Sequence, residues 1–175
     1  MDIQLLKATS ETALEQIRDL YLDAFLPNER RRFEGFKQQF LNKNSCSIFL
    51  AESEGKNLGF FTLWDFDSFA FIEHLAVWPA FRGHRIGEGM LQWVLTHYPC
   101  PVILEVEPPQ DEMTRRRVAF YRRNGFHLLD YHYRQPSYDG FTPGPVLNLM
   151  CSISEPGNPL LEKFFRKTKE EVYGP

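Results

Sequence analysis

The sequence predicts an α/β fold of class α+β, with helices and strands interleaved in a single domain over residues 1–175. Three observations predict it. A chain of 175 residues that is 43% hydrophobic and 25% charged suits one globular domain able to bury a continuous core. Helical stripes and short apolar runs alternate along it without an internal linker. Residues 71–87 place a strand, a tight turn and a helix start in direct succession.

Taken in order, residues 3–6 form a short apolar run. The Thr12-x-x-Glu15 spacing then predicts a capping box opening a helix whose stripe is Leu14, Ile17, Tyr21, Ala24 and Phe25, ended by Pro27. A second helix is expected from about Glu29 to Leu41. Residues 47–52 and 58–65, rich in Phe, Ile and Leu, flank the turn-forming Glu54-Gly55-Lys56-Asn57, and 69–77 continues the meander. Ile86, Met90, Trp93, Val94 and His97 share one helical face, and 102–106 reads as a buried strand closed by Pro108-Pro109. A helix over 111–124 stops at Gly125, the residue best able to take a left-handed conformation. Strands over 126–134 and 146–153 follow, and Asn158-Pro159 opens a short C-terminal helix.

Composition narrows the function. A formal net charge of -3 gives no global reason to bind nucleic acid or an anionic membrane. No run of about 18 apolar residues occurs and the N-terminus lacks a signal-like pattern, so a cytoplasmic protein is expected. Cys46, Cys100 and Cys151 are far apart and odd in number, which predicts buried thiols in a reducing compartment. Neither they nor His74 and His84 have the spacing of a metal site, and no metal is expected.

The chemistry concentrates in Phe71-Ile72-Glu73-His74-Leu75-Ala76-Val77-Trp78-Pro79-Ala80-Phe81-Arg82-Gly83-His84-Arg85-Ile86-Gly87. A helix start offers unpaired amides and the positive end of a dipole, a seat for a diphosphate, and Gly83 and Gly87 leave room for its approach. This segment resembles the acetyl-CoA motif of the GNAT superfamily (GCN5-related N-acetyltransferases), Arg/Gln-x-x-Gly-x-Gly/Ala after a Leu-Ala-Val-like strand end. Arg82-Gly83-His84-Arg85-Ile86-Gly87 departs from it at Arg85, where the family usually has glycine. Ala119-Phe120-Tyr121-Arg122-Arg123-Asn124-Gly125-Phe126 resembles the family's Phe-Tyr-x-x-x-Gly-Phe element, with Thr114 where an asparagine is often found.

The resemblance implies the GNAT acyl-CoA N-acyltransferase fold, a mixed, mostly antiparallel sheet with helices on both faces. It also implies acetyl-CoA as co-substrate, bound by Leu75, Ala76 and Val77 along a splayed strand and by Arg82, Gly83, His84, Arg85, Ile86 and Gly87 at the pyrophosphate. Transfer of the acetyl group to a primary amine, on a small molecule or a peptide, is the implied reaction. Glu73 is the expected base, sharing by strand alternation a face with Phe71, Leu75 and Val77 while His74 faces away; Glu105 and Glu107 compete with it. Tyr121 is the expected acid toward the coenzyme sulfur. Direct attack in a ternary complex is expected, and the rivals are an acetyl-CoA sensor without turnover and an acyltransferase for longer chains.

Other features have plainer readings. Arg115-Arg116-Arg117, Arg122-Arg123 and Arg30-Arg31-Arg32 are expected to be solvated faces, the last lying in the family's acceptor-side region. Tyr131, Tyr133, Tyr138 and Phe141 are expected mainly in the core, with an acceptor-pocket wall as the alternative. If Asp65, Asp67, Glu105 and Glu107 converge they favour a cationic acceptor, and the apolar side of the last helix offers a homodimer contact.

Overall fold

A computed structural model describes residues 3–174; Met1, Asp2 and Pro175, at the ends of the expected domain, lie outside the described residues. Seven strands form one sheet: β1 (Gln4–Lys7), β2 (Cys46–Ser53), β3 (Lys56–Asp65), β4 (Ala70–Val77), β5 (Val102–Val106), β6 (His127–Arg134) and β7 (Val146–Cys151). Their order is β1-β2-β3-β4-β5-β7-β6. Every neighbouring pair is antiparallel except β4 and β5, which run parallel. The expected mixed, mostly antiparallel sheet is therefore present.

Helices cover both faces. On one lie α4 (Ile86–His97) and α5 (Glu112–Arg123), whose Ile86, Met90, Val94 and Val118 pack with Ile72, Leu104 and Met150 of the sheet. On the other lie α1 (Glu11–Glu15), α2 (Arg18–Ala24), α3 (Phe33–Asn42) and α6 (Asn158–Lys167). Among the described residues no helix is long and apolar enough to cross a membrane.

The first expected helix is two. Ile17 leaves helical geometry at φ -109° and ψ 3°, and the break lets Leu14, Ile17, Leu20 and Tyr21 all reach the core with at most 1% exposed. Burying four such side chains gains about 1.5–3 kcal/mol each, which outweighs the helical bonds lost at the kink. The N-terminal cap is Ser10, whose hydroxyl accepts the Ala13 N–H at 3.2 Å, in place of the expected box at Thr12. The second expected helix begins only at Phe33. Before it come a 3-10 turn at Pro27–Glu29 and an extended stretch in which the Tyr21 hydroxyl accepts the Arg31 N–H at 3.0 Å.

Two features of β4 position the site. It pairs with β5 only at Ala70–Val102, Phe71–Ile103 and Ile72–Leu104, and beyond those the strands part. Against β3, Thr62 pairs with His74 and Leu63 with Ile72, so Glu73 is an extra, bulged residue. A bulge bends and twists its strand, which carries the outer half of β4 away from β5. It also resets the alternation: Ala70, Ile72, Leu75 and Val77 face α4 and α5, whereas Phe71 and Ala76 pack on the opposite side. Glu73 and His74 both point to that opposite side, contrary to the alternation expected for an unbroken strand, and His74 sits among the rings of Tyr21, Phe25 and Phe36.

Candidate active site

The opening between β4 and β5 is a cleft of about 550 Å³ whose lining includes Leu75, Ala76, Val77, Arg82, Glu105 and Tyr121. At its outer end β4 passes into a 3-10 turn, Pro79–Phe81, and then into α4. Gly83 at φ +82° and Arg85 at φ 62° are both left-handed, and together they turn the chain so that α4 starts beside the strand end. Its first intrahelical bond runs from the Gly89 N–H to the Arg85 carbonyl at 2.9 Å, which leaves the preceding amides of the first turn without helical acceptors. Arg85 supplies no side-chain cap. Those amides form a seat suited to a pyrophosphate.

Side chains brace this turn. Arg82 donates from Nε to the Val77 carbonyl at 3.2 Å, and the His84 ring nitrogen lies 3.2 Å from the Arg82 carbonyl. Arg85 stands in solvent, 80% exposed, with two 2.9 Å bonds to Glu88, so the departure from glycine is accommodated by turning the side chain outward. Gly87 packs closely against α5: a Cβ there would come 3.2 Å from the Phe120 ring, which would have to give way by a few tenths of an ångström. Thr114 spends its hydroxyl on a capping box with Asp111, whose carboxylate accepts the Thr114 N–H at 2.8 Å.

Tyr121 projects from α5 into the cleft, its ring edge-on to Phe120 and Phe126. Burial raises its pKa and keeps the phenol protonated, the state a proton donor needs.

Four carboxylates line this cleft, and their surroundings separate them. Glu29 accepts the Leu26 N–H at 3.3 Å, and burial raises its pKa. Glu73 is 2% exposed; its Oε1 accepts from Arg31 Nη1 at 2.6 Å and the Tyr138 hydroxyl at 2.9 Å, and its Oε2 from Trp64 Nε1 at 2.6 Å. Burial alone would raise its pKa, but Arg31 and the other donors outweigh burial and hold it below the usual range. Glu107 is engaged with Arg117 in an exposed pair. Glu105 is half-buried and has no cation partner. Its Oε2 accepts the Tyr173 hydroxyl at 2.7 Å and Gln135 Nε2 at 2.8 Å, and burial pushes its pKa up to about 8.

Behind Glu73 a second cavity, about 1080 Å³, opens between α3 and the β6–β7 loop. Arg30, Arg31, Arg32, Lys43, Tyr138 and Phe141 are among its lining. Arg31 and Tyr138 thus belong both to this cavity and to the Glu73 cluster. Sequence reasoning missed Arg31, hidden within a charge run, and also Trp64, Gln135 and Tyr173; only the aromatic loop around Tyr138 carried a hint. Arg115, Arg116, Arg122 and Arg123 of α5 are exposed, Arg116 paired with Glu112, whereas Arg117 lines the cleft beside Glu107.

Several expectations are corrected. Asp65 and Asp67 sit at the β3–β4 turn near Tyr98 and Cys100 and are absent from the cleft lining, so they do not join Glu105 and Glu107 there. Tyr131 and Tyr133 pack on Phe165, and Phe141 is 92% exposed at the rim of the larger cavity. The apolar side of α6, expected to be free for a dimer contact, buries Phe164 and covers the sheet with Leu161 and Phe165. All three cysteines are free thiols, but only Cys46 and Cys151 are buried, Cys100 being half-buried; among the described residues no group of side chains could hold a metal ion.

Comparison with known proteins gives a consistent result. The model of the Acetyltransferase (GNAT) family matches residues 14–126. YjbC of Bacillus subtilis (strain 168), a candidate acetyltransferase, is 33% identical over 119 residues, which cover 66% of this chain and 60% of that protein. The match thus spans less than two thirds of that relative's length. A candidate GNAT-family acetyltransferase of Bacteroides thetaiotaomicron superposes with a TM-score of 0.85 at 29% identity, covering 100% of this chain and 99% of that one. For the fold alone, a GNAT family acetyltransferase from Elizabethkingia anophelis with acetyl-CoA bound gives a TM-score of 0.59 at 16% identity, over 85% of this chain and 96% of that one.

Proposed function

Since the chain belongs to the GNAT acetyltransferase family, we propose that it transfers the acetyl group of acetyl-CoA to a primary amine by direct attack within a ternary complex. The observation that carries this reading is the parting of β4 from β5 immediately beside the left-handed turn at the start of α4. The unpaired strand edges suit the amides of a pantetheine arm, and the free helical amides suit its pyrophosphate. Leu75, Ala76 and Val77 would hold the arm, and the main chain of Arg82, Gly83, His84, Arg85, Ile86 and Gly87 the phosphates.

An amine is mostly protonated near neutral pH and must lose a proton before it attacks. Glu105 suits that task better than Glu73, because its proton affinity lies near the working range and its carboxylate has no cation to neutralise it. Glu73 in this reading anchors the acceptor side through Arg31, Trp64 and Tyr138. As the C–N bond forms, the carbonyl oxygen gains charge, and a backbone amide near Leu75 would stabilise it. The C–S bond then breaks and the departing thiolate takes the Tyr121 proton; of the two protons the ammonium group gives up, Glu105 accepts the first, before attack, and the second, shed as the amide forms, restores Tyr121 through solvent. The arginines around the larger cavity favour an acceptor that also carries an anionic group over a polyamine.

An amine panel followed by thiol release from acetyl-CoA tests the reaction, with amino-carboxylates expected to lead. Tyr121→Phe should lower kcat about 100-fold while the Kd for acetyl-CoA stays unchanged. Undiminished turnover would remove Tyr121 from the mechanism, and parallel double-reciprocal lines would exclude direct transfer. Binding of acetyl-CoA without thiol release on any amine would favour a sensor, and faster release from longer acyl donors a different acyltransferase.

A further inference from the structure

We propose that Tyr173, supplied by the turn after α6, is a positioning residue for the Glu105 carboxylate and so makes the C-terminal turn part of the active site. This rests on the reading of Glu105 as the proton acceptor.

The backbone places the side chain there by a local irregularity. At Thr168 the helix widens into a π-turn, Thr168–Val172, closed by the Tyr173 N–H donating to the Thr168 carbonyl at 2.8 Å. One extra residue in a turn rotates everything after it by about 100° relative to a continuing α-helix. Both Val172 and Tyr173 then face inward, 0% and 8% exposed. Thr168 holds the widened turn by donating its hydroxyl to the Phe164 carbonyl at 2.8 Å, and Glu171 ties it to the turn before β2 through Ser45 at 3.0 Å and to Lys167 at 2.6 Å.

At the end of this device the Tyr173 hydroxyl lies 2.7 Å and 2.9 Å from the two oxygens of Glu105, and it accepts from Gln135 Nε2 at 3.0 Å. Its ring meets Tyr138 edge-on at 5.1 Å, and Tyr138 in turn donates to Glu73. The groups facing Glu105 are therefore Tyr173, Gln135 from the end of β6, Tyr138 from the following loop, and Glu73 on β4, whose charge Arg31 offsets. Of these only Tyr173 and Gln135 donate to Glu105 directly. Gln135 also keeps its Oε1 buried without a partner, so Tyr173 is the member that both donates to the carboxylate and holds the amide in place.

A hydrogen bond to an ionised carboxylate favours the ionised form, so its removal makes Glu105 hold its proton more tightly. Tyr173→Phe should move the acidic limb of the kcat/KM profile up by about one pH unit, a tenfold change in proton affinity, with the Kd for acetyl-CoA unchanged. The Glu105 carboxyl ¹³C titration, assigned by its loss in Glu105→Gln, should move by the same amount. Site-specific 3-fluorotyrosine at position 173, a stronger donor that keeps the ring, should move both the opposite way and serves if the phenylalanine variant does not fold. If neither substitution moves the limb or the titration, Tyr173 is only a packing residue. Full turnover in Glu105→Gln would instead sink the proton-acceptor reading itself, a distinct outcome.

Discussion

The two halves of the cleft are built on different principles. On the coenzyme side, the parted edge of β4, the left-handed turn at Gly83 and Arg85 and the first amides of α4 lie within about a dozen consecutive residues and act through the main chain. The acceptor side acts through side chains brought together from afar: Arg31 and Glu73 are 42 residues apart, Tyr138 and Glu73 are 65, and Tyr173 and Glu105 are 68. A turn made of backbone tolerates changes of side chain, and Arg85 accordingly turns its side chain out to Glu88. A seat made of buried ionisable groups fails when one partner is lost.

The largest effect should therefore come from cutting the buried pair on the acceptor side. Arg31→Met leaves Glu73 buried at 2% exposure without its cation, and such a break costs about 3–5 kcal/mol. Urea unfolding of the single variant should show that loss, and the double variant Arg31→Met with Glu73→Gln should recover much of it, because an uncharged pair needs no compensation. A single variant within 1 kcal/mol of the parent would mean the pair is far wetter than its burial implies.

The same contrast explains what the sequence made legible. Periodicity located β5 at Val102–Val106 and α4 at Ile86–His97 to the residue, and Gly125 does stop α5 with φ +90°. These are local effects of side-chain spacing and backbone freedom. The family resemblance pointed to Tyr121 and to the turn at residues 82–87, both of which adjoin the cleft, because each lies in a contiguous motif. Nothing local marks the bulge at Glu73: residues 71–77 keep an ordinary strand pattern, and only pairing with β3 reveals that Glu73 and His74 share a side. The arginine run at 30–32 likewise gives no sign that Arg31 alone turns inward. The π-turn that delivers Tyr173 depends on Thr168, a residue type common in ordinary helices and loops.

A middle-sized effect should separate Glu105 from Glu73 by pH. Glu105 keeps its proton to about pH 8 in the folded chain, whereas an unfolded glutamate loses it near 4.5. Its favourable contribution is thus complete below pH 4.5 and disappears as the pH climbs to 8, since over that window the folded state binds more protons. Glu105→Gln removes the dependence, so the variant should gain on the parent between pH 5 and 8.5. The slope cannot exceed about 1.4 kcal/mol per pH unit, and water in the cleft reduces the whole gain to about 2 kcal/mol. His74, held by burial at about 4, is common to both chains and cancels. Denaturant titrations at the two pH values would measure the difference, and parallel behaviour of parent and variant would place Glu105 in water.

The smallest effect belongs to Arg85, and its smallness is the point. Restoring glycine there relieves the left-handed strain at φ 62° but frees the unfolded chain and removes the surface bonds to Glu88, so the three contributions oppose one another. Arg85→Gly should shift the melting temperature by no more than about 3 °C. Because the guanidinium stands in solvent while the amides face the turn, the Kd for acetyl-CoA should change less than about threefold. A tenfold weakening by calorimetry would show the Arg85 side chain reaching the coenzyme phosphates. The coenzyme half would then depend, like the acceptor half, on an individual side chain, and the contrast between them would narrow to one of distance along the chain.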